Sequence, residues 1–196
     1  MMNLLKKNQT AIPTCPVNKK YALAGITNVI KKFGDAQKKM DPDFIPIFLY
    51  VMDKQEKNSL CFLTTTFFAR INNHLKNLKH GYSMILNKTI LEDLYEPFEE
   101  SHVAAIFAKE KGVVDTPGHP GEKCKYYIKD FGYDAEEASA VIGMLLDEVF
   151  KIKPEEITLQ IQLFGCNDEG EGEECMAEFD CAGNMIAKSG NSYDLF

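Results

Sequence analysis

The sequence predicts an α+β fold, a mainly antiparallel sheet with several amphipathic helices packed on it. Three observations carry this expectation. Apolar residues switch along the chain between the 3.6-residue period of a helix and the two-residue period of a half-buried strand. The strand-like runs come in pairs joined by short polar turns rather than alternating singly with helices, which is the pattern of an antiparallel sheet and not of βαβ units. Finally, 196 residues with 45% hydrophobic content, 13 Phe and 8 Tyr suffice for one packed core. The expected organisation is a loose basic arm over residues 1–19 and a single α+β domain over 20–196, with no internal repeat.

The arm is read from "AIPTCPVNKK", which has two prolines and little periodicity. From Lys20 the pattern changes: Ala22, Ile26, Val29, Ile30 and Phe33 recur at helical spacing with lysines opposite, and Gly34 marks the expected end of a first helix. "FIPIFLYVMD" and "SLCFLTTTFF", separated by "KQEKN", read as a hairpin of buried strands. A helix capped by Asp41 with Pro42 at its first position is the rival, and Pro46 argues against it because it would clash with the preceding turn.

In "TFFARINNHLKNLKHG" a stripe of Phe67, Ile71, Leu75 and Leu78 predicts a helix, with Thr66 as cap and Gly81 as stop. A short strand follows over 82–86. Thr89 and Glu92 fit a capping box ahead of Leu91, Leu94 and Tyr95, Pro97 is expected to break that helix, and a further helical stretch through Val103, Ile106 and Phe107 is expected to end at Gly112. "DTPGHPG" reads as a loop and "EKCKYYIK" as a strand. Asp134, with Glu137 three residues on, opens the clearest helix, whose stripe is Ala138, Val141, Ile142, Leu145, Val149 and Phe150 and which Pro154 cannot continue. "ITLQIQLF" alternates strictly, with Ile157, Leu159, Ile161 and Leu163 on one side. "CMAEFD" and "NMIAKS" flank "CAGN" as a closing hairpin, with Gly183 and Asn184 available for positive φ.

The formal charge of -7 is unevenly spread: residues 1–40 carry +7 and residues 165–181 carry -7. No basic stripe interleaved with aromatics occurs after residue 40, so nucleic-acid binding is not expected. No apolar run reaches the 18 or so residues of a membrane span, and "MMNLLKKNQTA" lacks the apolar core of an export signal, so the expected location is cytoplasmic. Six cysteines without a C-x-x-C pair are then expected to be free thiols, with Cys61 buried in "SLCFL".

"GCNDEGEGEECMAEFDC", residues 165–181, packs seven carboxylates and three cysteines together without a basic side chain. It aligns to a calcium loop with Asn167, Glu169 and Glu171 at the first, third and fifth positions, Gly172 at the sixth and Glu178 at the twelfth. Against that reading, the early positions want shorter side chains, the eighth is Glu174 rather than apolar, and the flanks read as strands. A zinc site could join His119 and Cys124 to two of Cys166, Cys175 and Cys181, yet these spacings are not those of a zinc knuckle. A solvated acidic loop is the simpler reading.

"DTPGH", residues 115–119, matches a segment of translational GTPases, but the chain has no G-x-x-x-x-G-K-[ST] loop to cradle phosphates. "GYSMI" lacks the second glycine of a nucleophile elbow. Asp93, Glu99, Glu100 and His102 read as a wet helix face; His74 and His80 sit six apart on the expected helix, with His74 capping or edging the core. The expectation is therefore a non-enzymatic protein-binding, adaptor or chaperone-like module with a protein partner or a second copy of itself, needing no cofactor. A metal-binding protein using the 166–181 region and a small enzyme with a dispersed site are the alternatives.

Overall fold

Strict alternation in "ITLQIQLF" turns one side chain in two toward the interior, and the strand it forms anchors the sheet. The computed structural model of the chain describes residues 16–39, 45–64, 69–71, 74–75, 81–116, 119–166 and 172–189. Its strands are β1 (Ile45–Asp53), β2 (Ser59–Thr64), β3 (Ala69–Ile71), β4 (His74–Leu75), β5 (Tyr82–Asn87), β6 (Ala108–Thr116), β7 (His119–Gly132), β8 (Ile157–Cys166), β9 (Gly172–Asp180) and β10 (Met185–Ser189). They form one sheet in the order β10-β9-β8-β1-β2-β5-β7-β6-β3-β4. Each pairing is antiparallel. The helices are α1 (Ala24–Lys39), α2 (Lys88–Leu91), α3 (Tyr95–Glu100) and α4 (Ala135–Leu145), so the fold is α+β.

The core lies between one face of the sheet and helices α1 and α4. Ile26, Val29, Ile30 and Phe33 of α1 meet Val141, Ile142 and Leu145 of α4 above Leu49, Val51, Leu63, Met84, Leu159, Ile161 and Phe179, all fully buried. Registers Leu49↔Leu63 and Leu49↔Ile161 place these strand residues opposite one another. The intervening residues point to the other face, where Phe48, Tyr50 and Phe62 pack with ring centroids 5.6 to 5.8 Å apart. Phe62, Ile85 and Tyr126 are buried there, outside the main core.

Several elements depart from the sequence expectation. Gly34 does not end α1, which runs on to Lys39. Its missing side chain makes room for Tyr82, whose hydroxyl would lie 2.5 Å from a Cβ at that position, and which stacks on Phe33 at 6.1 Å. The helix expected over Phe67–Leu78 is replaced in its described part by β3 and β4, because the edge of β6 offers backbone partners at Val113 and Val114. Thr66, Phe67, Leu78 and His80 lie outside the described residues.

Asn87, not Thr89, caps α2, its Oδ1 accepting from the Ile90 N–H at 2.9 Å. Pro97 sits within the first turn of α3, where its lost N–H has no helical partner to forgo. The stretch expected to be helical up to Gly112 is a 3-10 turn over His102–Ile106, after which β6 begins at Ala108. In the expected loop at "DTPGHPG" the described residues are strand instead: Asp115 and Thr116 end β6 and His119 opens β7, with Thr116 paired to His119.

Asp134 caps α4 as expected, accepting from the Glu137 N–H at 2.8 Å. The helix closes through a π-helical turn over Leu146–Phe150 and a left-handed Lys151 (φ 57°, ψ 34°), three residues ahead of Pro154. The β9–β10 turn uses Gly183 at φ +86°, whereas Asn184 keeps a negative φ. Among the described residues no helix is long and apolar enough to cross a membrane.

Candidate functional site

Register decides the fate of the sequence-nominated metal ligands. His119 and Cys124 belong to β7, and Cys166 and Cys175 to β8 and β9. Between β7 and β8 run β5, β2 and β1, four strand spacings of about 4.8 Å or roughly 19 Å. The two groups also lie at opposite ends of the sheet. Cys124 extends beyond the C-terminal end of β5, where Asn87 pairs with Tyr126, while Cys166 extends beyond the N-terminal end of β1, where Ile45 pairs with Phe164. Zinc ligands converge on one ion with bonds near 2.0 to 2.3 Å, so these residues cannot share one.

Cys181 does not rescue the set. It follows β9 at the end where Asp180 pairs with Thr158, whereas Cys175 pairs with Leu163, and six extended residues span about 20 Å. Cys181 is partly buried against the core and, like Cys61, is a free thiol. Cys166 and Cys175 sit three positions out of register, roughly 10 Å along the ladder and beyond the reach of a disulfide.

The calcium reading fails on the same ladder. Gly172 opens β9 and Glu178 pairs with Gln160 within it, so the sixth and twelfth positions are separated by extended strand, whereas a calcium loop coils them about one ion. Asn167, Glu169 and Glu171 lie outside the described residues. With Cys166 paired to Gly172, the described part of the acidic stretch lies on the facing strands β8 and β9 and the turn after β9. Among the described residues no three His, Cys, Asp or Glu side chains are grouped as metal ligands.

The polar cluster around Glu99 is better connected than a wet helix face. Its carboxylate Oε1 accepts from Lys109 Nζ at 2.6 Å, Tyr127 Oη at 2.6 Å and Tyr95 Oη at 3.2 Å. These donors hold the carboxyl down at about 2, Lys109 contributing most and Tyr127 next. The Lys109 ammonium is raised in turn by Glu99, and both tyrosine hydroxyls are raised, chiefly by burial. Tyr127 packs edge-on to Phe98 at 4.9 Å, and Lys109 lies over the Tyr127 ring. Each donor is aimed at the carboxylate and each shift favours the form already present, which makes the cluster a clasp joining α3 to β6 and β7. Cys61 is equally inert: burial pushes its thiol up to about 12, away from the thiolate that reacts.

Sequence reasoning missed the exposed edge of the sheet. β10 pairs with β9 through Met185↔Phe179 and Ser189↔Met176, and among the described residues no strand pairs with its other side. Met185 is 41% and Ile186 53% exposed, two of the three exposed large hydrophobic residues among those described, Tyr133 being the third. The "NMIAKS" segment carries the signal as two adjacent apolar residues in a closing strand, but only the sheet order reveals that β10 has one neighbour among the described residues. No family model, curated protein or solved structure matches the chain.

Proposed function

We propose that this chain is a non-enzymatic protein-binding module whose contact surface is the β10 edge, and that the occupant is a second copy of the chain. The observation that carries the reading is the exposure of Met185 and Ile186 on a terminal strand. An open edge presents unpaired backbone N–H and C=O groups and is a template for another strand.

The strand is also self-complementary. In an antiparallel pair centred on Ala187, Ile186 of each copy faces Lys188 of the other and Met185 faces Ser189. No like charges meet, and the aliphatic stem of Lys188 covers Ile186. A five-residue strand on each side belongs to the small, transient class of interface. The satisfied Glu99 clasp and the protonated Cys61 thiol support a structural rather than catalytic use of the perturbed groups.

Sedimentation equilibrium across a wide concentration range tests the reading. The wild-type chain is expected to self-associate at high concentration, and Ile186→Lys to abolish the association while leaving the thermal midpoint within a few degrees. A chain that stays monomeric throughout, or an Ile186→Lys variant that associates as strongly, overturns it.

A further inference from the structure

Ahead of α1, residues Lys19–Tyr21 form a 3-10 turn that faces the C-terminal end of α4. Between that turn and the chain leaving α4 lies an open cleft of about 470 Å³, within the roughly 300 to 1,000 Å³ typical of small-ligand sites. Tyr21, Leu23, Leu146, Ile152 and Pro154 give it an apolar lining. Lys20, Lys151 and Lys153 stand around it against one carboxylate, Asp147. A cleft with three cations and one anion is the opposite in sign to a chain of net charge -7.

Two further features converge here. The α4 helix ends in a π-helical turn, Leu146–Phe150, a local geometry that tends to occur at functional positions. Lys151, which follows, occupies the left-handed region at φ 57°, where glycine would avoid the steric cost of a Cβ. Its Nζ reaches back to the Asp147 carbonyl at 3.0 Å and so remains at the cleft. Among the described residues the ammonium groups of Lys20 and Lys153 have no carboxylate or carbonyl partner, and both residues are exposed.

We infer that this cleft binds a small amphipathic organic anion, its charged head between Lys20, Lys151 and Lys153 and its apolar body against Leu23, Leu146 and Ile152. The site is separate from the β10 edge and does not depend on it. Lysine is a compact charge without a fixed fork, so the anionic head is held by charge more than by geometry.

Titration with anilinonaphthalene sulfonate, whose fluorescence rises on entering an apolar site, tests the proposal beside the uncharged phenylnaphthylamine. The sulfonate is expected to saturate one site, and Lys20→Ala/Lys153→Ala to weaken it roughly tenfold, the effect of losing two solvent-exposed ion pairs. Phenylnaphthylamine should bind both proteins alike. Added salt should weaken the sulfonate alone. Lys151→Gly should weaken the sulfonate with no fall in thermal midpoint, since glycine suits that backbone, which separates lost binding from lost folding. Ile186→Lys should leave the titration unchanged. Absence of saturable sulfonate binding, equal affinity in the lysine variants, or loss of binding in Ile186→Lys overturns the inference.

Discussion

Glu99 concentrates three donors on a single carboxylate oxygen, and that geometry makes its protonation measurable. With its carboxyl held at about 2 against an ordinary 4.5, the folded state binds the proton less readily than the unfolded chain. The stabilisation it contributes is therefore fully present above pH 4.5 and is lost as pH falls toward 2. Carboxyl chemical shifts followed by NMR should show Glu99 titrating near 2. Lys109→Met should move that midpoint up further than Tyr127→Phe, since the Lys109 hydrogen bond is the largest cause. A wild-type midpoint at the ordinary value would remove the clasp. The sequence showed Glu99 among neighbouring carboxylates but not this role, because its partners Lys109 and Tyr127 are 10 and 28 residues away.

Caps determine where the helices start, and α4 separates a cap from an ion pair. Asp134 accepts from the Glu137 N–H and also meets Lys19 Nζ at 3.1 Å, which in turn meets Glu136 at 3.3 Å. These lysine contacts are solvent-exposed and worth little, whereas an N-cap is worth about 1 kcal/mol. Asp134→Ala should cost about 1 kcal/mol in urea unfolding and Asp134→Asn, which keeps the capping oxygen, much less. Equal losses would assign the stabilisation to the ion pair. Elements of this kind were legible because their signals are local: Asp134 lies beside the α4 stripe, and β8 alternates residue by residue. β3 and β4 were illegible because Ile71 and Leu75 satisfy a helical spacing, while the partner that draws Ala69–Arg70 into a strand, Val113–Val114, lies more than 40 residues further on. The basic cleft was hidden for the same reason, since Lys20 and Lys151 are distant in sequence and meet only when α1 and α4 pack.

At the scale of the molecule, the short segment before and into α1 is what ties the helical layer together. Ser139, buried on α4, donates to the Leu23 carbonyl at 3.1 Å and accepts from the Leu23 N–H at 3.0 Å. A Cβ on Gly143 would fall inside contact distance of the Tyr21 carbonyl oxygen, and one on Gly25 inside that of the Cys181 carbonyl at the β9–β10 turn. α4 and the sheet thus approach residues 21–25 backbone to backbone from two sides. Helix propensity alone predicts that Gly143→Ala stabilises the protein by about 1 kcal/mol. Overpacking against an unyielding backbone costs about 1 to 3 kcal/mol, and since the obstacle is a carbonyl rather than a flexible side chain, the steric effect wins. Gly143→Ala and Gly25→Ala are each expected to lower unfolding free energy, by up to about 2 kcal/mol net of propensity. Because the same five residues must shift in both variants, the double variant should lose less than the sum of the two. Strict additivity would show that the two contacts yield independently, and a stabilised Gly143→Ala would show that the segment is not clamped.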